Sequence, residues 1–247
     1  IERLQEESVP FKEMSVLYRV NSLSRVLEDA FRDRGVPYVV ARGTAFYERK
    51  EVKEALAYLR LLVNPKDNVA FARVINTPTR GIGKTSINRL DHLAAQHGCS
   101  MLEATSSISK EHGITTRAEN AMRKFSETFH QWQIDGQSLE SLTAAASLAD
   151  LVERVIRESG LEEMYSKMSG EEDVERLQNL EELVSAASEF ESRFEMSRED
   201  DSSVTPLHLL FAFLENVALV SDADTINPSN GAVTLMTLHA SKGLEFD

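Results

Sequence analysis

The chain has 247 residues, 42% of them hydrophobic and 27% charged, with 27 Lys and Arg against 40 Asp and Glu for a net charge of −13. That balance reads as a soluble globular polypeptide with room for one large or two smaller cores. One cysteine, Cys99, excludes an internal disulfide and a thiolate cluster for zinc, and no apolar run approaches the ~20 residues of a membrane span.

A reducing, cytoplasmic setting is therefore expected, with Cys99 a half-buried small apolar residue and no membrane partner. Opening on Ile1 without a leader and stopping at "KGLEFD", the sequence reads as a piece of a longer polypeptide. The charge is unevenly spread: residues 1–100 carry a net +4 and residues 101–230 a net −16, so the first hundred stay eligible for a polyanionic partner.

In chain order, "MSVLYRV" is a short apolar run suited to a buried strand. The next stretch, "SLSRVLEDAFRDRG", places Leu23, Val26, Leu27, Ala30 and Phe31 on one helical face, with Gly35 just past its end. After Pro37, "PYVVAR" is a second strand. A helix through Val52, Ala55, Leu56, Leu59, Leu62 and Val63 follows, stopped by Asn64-Pro65. Two β-α units in succession imply a parallel α/β sheet.

From Pro65 to about Asn230 only helical spacing is seen, near 68–76, 86–97, 116–134, 141–159, 172–196 and 206–219. Thr205-Pro206 opens the last of these and Gly160 ends the fourth, while acidic runs such as "SREDDSS" read as solvated loops. No internal repeat is apparent. "GAVTLMTLHASKGLEFD" then returns to a strand and a polar turn. The fold class is α/β, predominantly helical: an α/β domain at 1–64, an all-helical insertion at 65–230, and a return to the first sheet at 231–247.

Two stretches carry chemistry. "NTPTRGIGKTS" contains Gly83-Lys84-Thr85, the end of a phosphate loop, but Pro78 stands where that loop needs its first glycine, and helical rather than strand spacing precedes it. Its glycines can instead converge backbone N–H groups on a phosphate at the start of the next helix. Arg80 and Lys84 flank them, and Thr85 and Ser86 can cap the helix or donate to the same oxygen. The competing reading is a tight interhelical turn whose glycines serve close packing. In "VTLMTLHASKGLEF", Thr237, His239, Ser241 and Lys242 crowd a strand end where open α/β sheets bind ligands, with Glu245 nearby; a plain polar loop is the alternative.

Other constellations fall away. His92 and His97 are five apart on a helix and point about 140° from each other, which argues against zinc. No hydrolase nucleophile motif is present. Phe125, Phe129 and Trp132 fall at helix spacing and read as core rather than as a base-stacking platform.

Taken in order, "VLYRVNSLSRVLEDAF", "GTAFYERKEVKEALAYLRLLVNP", "NTPTRGIGKTS" and "VTLMTLHASKGLEF" resemble superfamily 1 DNA helicases of the UvrD, PcrA and Rep kind. The resemblance implies that the α/β part is the second RecA-like domain, 2A, and the helical insertion is 2B. It further implies that Asn21, Thr237 and His239 touch single-stranded DNA, and that Glu245 reaches the nucleotide. Arg80, Gly81, Ile82, Gly83, Lys84 and Thr85 are expected to hold the duplex at a single-strand/duplex junction, with Lys84 standing where the family commonly has another residue. ATP and Mg2+ are expected in the intact helicase and none for the isolated fragment, which lacks the Walker motifs and motif VI and should be inactive alone. Implied partners are DNA, the remaining motor domains, and repair or replication proteins. A non-enzymatic DNA-binding, protein-docking or autoinhibitory module is the alternative.

Overall fold

A computed structural model of the chain describes residues 1–41, 43–109, 112–137, 147–167, 170–197, 204–223 and 231–245. It is mostly helical with a small parallel sheet. By compactness the chain divides into two units, Ile1–Val52 with Glu215–Asp247, and Lys53–Leu214.

In the first unit, α1 (Glu2–Glu6) precedes β1 (Ser15–Tyr18), α2 (Ser24–Asp33) and β2 (Tyr38–Val40), and β3 (Val233–Thr237) comes from the far end of the chain. The order is β1-β3-β2 with both pairings parallel; Tyr18 stands opposite Thr237 and Tyr38 opposite Val233. Met14, Tyr18, Phe31, Val233 and Leu235 form its core, with Leu27, Val36 and Val40 against them. Gly35 closes α2 at φ +63, donating to Arg32 O while Val36 N–H reaches Phe31 O, a cap that needs a left-handed residue.

The buried side of α2 differs from the apolar spacing. Leu23 and Val26 are 47% and 49% exposed, while Ser24, Arg25, Glu28 and Phe31 are buried. The polar side is covered because the turn at 44–49 lies on it. The Glu28 carboxylate accepts the Phe46 N–H at 3.0 Å, and Arg49 Nη2 donates to Ser24 Oγ at 2.6 Å. Arg25 is balanced by Asp29 at 2.8 Å.

From α3 (Lys50–Val63) the chain runs through α4 (Asn68–Val74), α5 (Lys84–His97), α6 (Met101–Ala104), α7 (Thr116–Gln137), α8 (Leu148–Ser159), α9 (Leu161–Ser166), α10 (Glu171–Ser197) and α11 (Pro206–Ala223). The unit borders fall inside α3 and α11, whereas the composition change in the sequence is at Pro65 and Asn230. Pro65 ends a helix, but compactness follows packing, and from Lys53 onward α3 packs with helices.

The centre of the second unit is aromatic. Tyr58 stacks on Phe129 at 5.9 Å and meets Phe125 and Trp132, while Phe71 meets Phe125 edge-on. Phe125, Phe129 and Trp132 are buried, as core residues rather than as a base platform. Gly160 at φ +86 ends α8 and turns the chain into α9. The part of the 141–159 helix before Ser147, and "SREDDSS" beyond Ser197, lie outside the described residues.

Candidate nucleic-acid interface

Between α4 and α5 the chain makes a tight hairpin organised by one side chain. Asn76 Oδ1 accepts the N–H of Arg80 at 2.8 Å and of Ile82 at 3.2 Å. Gly81 at the apex has φ +75, a conformation costly for any residue with a Cβ. Ile82 is 1% exposed and pins the turn into the apolar interior.

Gly83 is the N-cap of α5, and its carbonyl accepts the N–H of Ser86 at 3.0 Å and Ile87 at 3.2 Å. No side chain caps this helix, so the expected cap by Thr85 or Ser86 is not made. Thr85 is exposed and Ser86 is buried. The N–H groups of Lys84 and Thr85 have no acceptor among the described residues and stand at the positive end of a 14-residue helix. A helix, not a strand, leads into Gly83-Lys84-Thr85, which removes the structural context of a phosphate loop.

Arg80 and Lys84 go different ways. Arg80 Nη1 donates to the carbonyls of Val74 at 3.0 Å and Pro78 at 3.2 Å, and Nη2 donates to Tyr58 Oη at 2.7 Å and Ser159 O at 2.8 Å. Its guanidinium lies 5.2 Å from the Phe125 ring centroid. Lys84 is exposed and has no partner among the described residues.

Three of the other predicted residues, Asn21, Thr237 and His239, lie at or just beyond the carboxyl ends of two neighbouring parallel strands. Asn21 begins the short turn after β1, and its carbonyl accepts from Arg49 Nη1 at 3.1 Å. Thr237 ends β3, and its hydroxyl oxygen accepts the Ala240 N–H at 3.1 Å, closing the turn that carries His239. Leu238 N–H donates to Tyr18 O at 2.8 Å, so the two strand ends are joined directly. His239 and Glu245 are exposed. Among the described residues no three His, Cys, Asp or Glu gather as a metal would need, and no helix is long and apolar enough to cross a membrane.

The model of the UvrD-like helicase C-terminal domain matches residues 1–247, the whole chain. The chain belongs to that family. It is 38% identical over 247 residues to the ATP-dependent DNA helicase PcrA of Leuconostoc citreum, covering 100% of this chain and 31% of the relative. Against DNA helicase II of Escherichia coli K12 it is 38% identical over 246 residues, 100% of this chain and 32% of the relative. Against DNA helicase II of Haemophilus influenzae it is 40% identical over 232 residues, 94% and 30%. The chain thus spans about a third of the length of the curated relatives it matches.

Three residues of this UvrD-like domain escaped sequence reasoning. Asn76 holds the hairpin, and its signal was an Asn opening a Thr-Pro turn. Arg49 ties the Asn21 turn to Thr44 O at 3.3 Å and to Ser24, which periodicity cannot show. Arg117, in the first turn of α7, lies on the apex so closely that a Cβ on Gly81 would come within 2.9 Å of its Nε.

Proposed function

We propose that this chain is the 2A and 2B part of an ATP-dependent 3′-to-5′ DNA helicase. Residues 1–64 and 231–247 belong to a RecA-like domain and residues 65–230 form a helical insertion. The hairpin from Arg80 to Thr85 grips the duplex backbone ahead of the junction. Gly83, Lys84 and Thr85 face the phosphates, while Arg80 and Ile82 hold the turn in shape. Asn21, Thr237 and His239 contact the single strand at the sheet's carboxyl edge, and Glu245 contacts the nucleotide. ATP and Mg2+ act in the intact cytoplasmic enzyme, with the remaining motor domains as partners, and the chain alone hydrolyses no ATP.

The observation that carries this reading is the α5 terminus. Two unanswered N–H groups, a helix dipole and an unpaired Lys84 converge at one exposed turn, a chemistry suited to a phosphodiester and indifferent to base sequence. The test is fluorescence anisotropy on a duplex with a 3′ single-stranded tail across a salt series. Binding that weakens steeply with salt and is lost when Gly81, Gly83 and Lys84 are altered supports the clamp. Absence of binding at low salt refutes it and favours a second reading, a protein-docking or autoinhibitory module, for which the net −16 over residues 101–230 speaks.

A further inference from the structure

The turn that carries Asn21 has little of its own to hold it in place. Asn21–Leu23 is a single 3-10 turn after β1, closed by the Leu23 N–H on the Val20 carbonyl at 3.1 Å and the Ser24 N–H on the Asn21 carbonyl, and no side chain caps it. It has no packed apolar face either, since Val20 is 38% exposed and Leu23 47%. So short and open a turn frays unless something outside it fixes the backbone.

Arg49 supplies that hold from 28 residues away, donating from Nη1 to the Asn21 carbonyl at 3.1 Å. The side chain is buried, and each nitrogen of its guanidinium serves a different segment. Nη2 donates to Ser24 Oγ at 2.6 Å, at the start of α2, and Nε donates to Thr44 O at 3.3 Å, beyond β2. The Phe46 ring centroid lies 5.4 Å from the guanidinium carbon. Ser24 is itself hydrogen-bonded to the phenol of Tyr18, the last residue of β1. Tyr18 stands opposite Thr237, and its carbonyl accepts the Leu238 N–H at 2.8 Å. One buried cation therefore reaches, directly or through Ser24 and Tyr18, both strand ends at which Asn21, Thr237 and His239 stand.

Burying a guanidinium is costly, and apolar contacts could hold two loops together without it. A planar fork of donors adds direction: it fixes the plane of the Asn21–Ser22 peptide and so the line along which the Asn21 side chain leaves the backbone. We propose that Arg49 is a positioning residue for single-strand binding, which touches no DNA and sets the Asn21 turn against the end of β3 so that Asn21, Thr237 and His239 meet one strand together. This rests on the single-strand contacts proposed above and adds the residue that aligns them.

The test is anisotropy of the whole chain on a labelled oligodeoxythymidylate across a salt series, with a blunt duplex as the comparison. Arg49→Lys keeps the charge but cannot make the fork, and should weaken strand binding on the order of tenfold. Because no phosphate contact is lost, the slope of log K against log salt should not change, and duplex binding should hold. In an Asn21→Ala background, which alone should weaken strand binding, Arg49→Lys should have little further effect, since it acts through that turn. Ser24→Ala, which removes one acceptor and leaves Arg49 in place, should give a smaller loss and carries the test if Arg49→Lys does not fold. Strand affinity unchanged in Arg49→Lys, or in Ser24→Ala where it stands in, makes Arg49 a brace for the 44–49 turn and overturns the proposal. So does an equal loss on strand and duplex, or full additivity with Asn21→Ala. A slope reduced by about 0.7 means that Arg49 meets a phosphate itself, and overturns it too. If the wild type does not bind the oligonucleotide at low salt, or Asn21→Ala binds it as well as the wild type, the single-strand contact itself fails and this proposal with it.

Discussion

Arg80 donates from Nη2 to the hydroxyl of Tyr58 at 2.7 Å, and the same guanidinium reaches Ser159 O at 2.8 Å, 79 residues away in sequence. The arginine that flanks the glycine hairpin is thus the bolt that holds it to the aromatic core. Arg80→Lys cannot reproduce the fork and leaves carbonyls of the turn without donors. It should cost about 2–3 kcal/mol in chemical denaturation. Lys84→Gln should change stability by no more than about 0.5 kcal/mol while weakening duplex binding. The two substitutions separate building the hairpin from using it.

Burial pushes the Tyr58 phenol up to about 12 against the opposing pull of Arg80. A raised phenol keeps its proton longer in the folded state, so its contribution is fully present below pH ~10 and is lost as the pH climbs toward 12. Denaturation midpoints from pH 9 to above 12 should therefore fall more steeply for the wild type than for Tyr58→Phe, which has no phenol to ionise. Parallel curves would show that Tyr58 does not drive the alkaline loss.

Asn76→Ala should leave the N–H groups of Arg80 and Ile82 without their shared acceptor at a cost of about 1–3 kcal/mol. Asn76→Asp keeps the acceptor and should recover most of it. Duplex affinity should follow the same order, because the turn that presents Lys84 depends on that oxygen. Equal affinity for all three proteins would separate hairpin shape from binding.

The only tryptophan, Trp132, reports on a charged network between α7 and α8. Its Nε1 donates to Glu158 Oε2 at 2.6 Å, and Arg154 joins Glu158 Oε1 at 2.9 Å to Asp135 Oδ2 at 2.6 Å. Removing the cation leaves the Asp135 carboxylate, 2% exposed, without its counter-charge and with the Gln131 amide donating to Oδ1 at 3.0 Å. Arg154→Ala should destabilise the protein by about 3–5 kcal/mol. Glu158→Ala should shift the Trp132 emission without unfolding the chain. An unchanged spectrum in Glu158→Ala would mean the indole N–H does not rely on that carboxylate.

Much of the fold was legible because it is written in local periodicity. The strands near 15 and 38, the long helices, the closing glycines at 35 and 160 and the core positions Phe125, Phe129 and Trp132 all follow from spacing and turn chemistry. The short helices α6 and α9 were missed, since four and six residues are too few to show a period. On α2 the spacing chose Leu23 and Val26, but Arg49 and Phe46, far along the chain, buried the polar side instead. In the candidate interface the glycines and Lys84 were found by composition. The inward turn of Arg80, the hold of Asn76 and the approach of Arg117 were not.

By itself, then, the sequence determined where helices and strands run, where the chain turns left-handed, and that Gly81 to Thr85 could meet a phosphate, because these depend on neighbours within a few residues. Only the tertiary structure decided which cations are spent on the protein's own carbonyls, as Arg80 is, and which, like Lys84, have no partner among the described residues. It also decided that Arg117 lies on Gly81 and Arg89 on Gly113. The reach of a long polar side chain is set by partners distant in sequence, such as Ser159 for Arg80 and Gly81 for Arg117, and no local pattern records them.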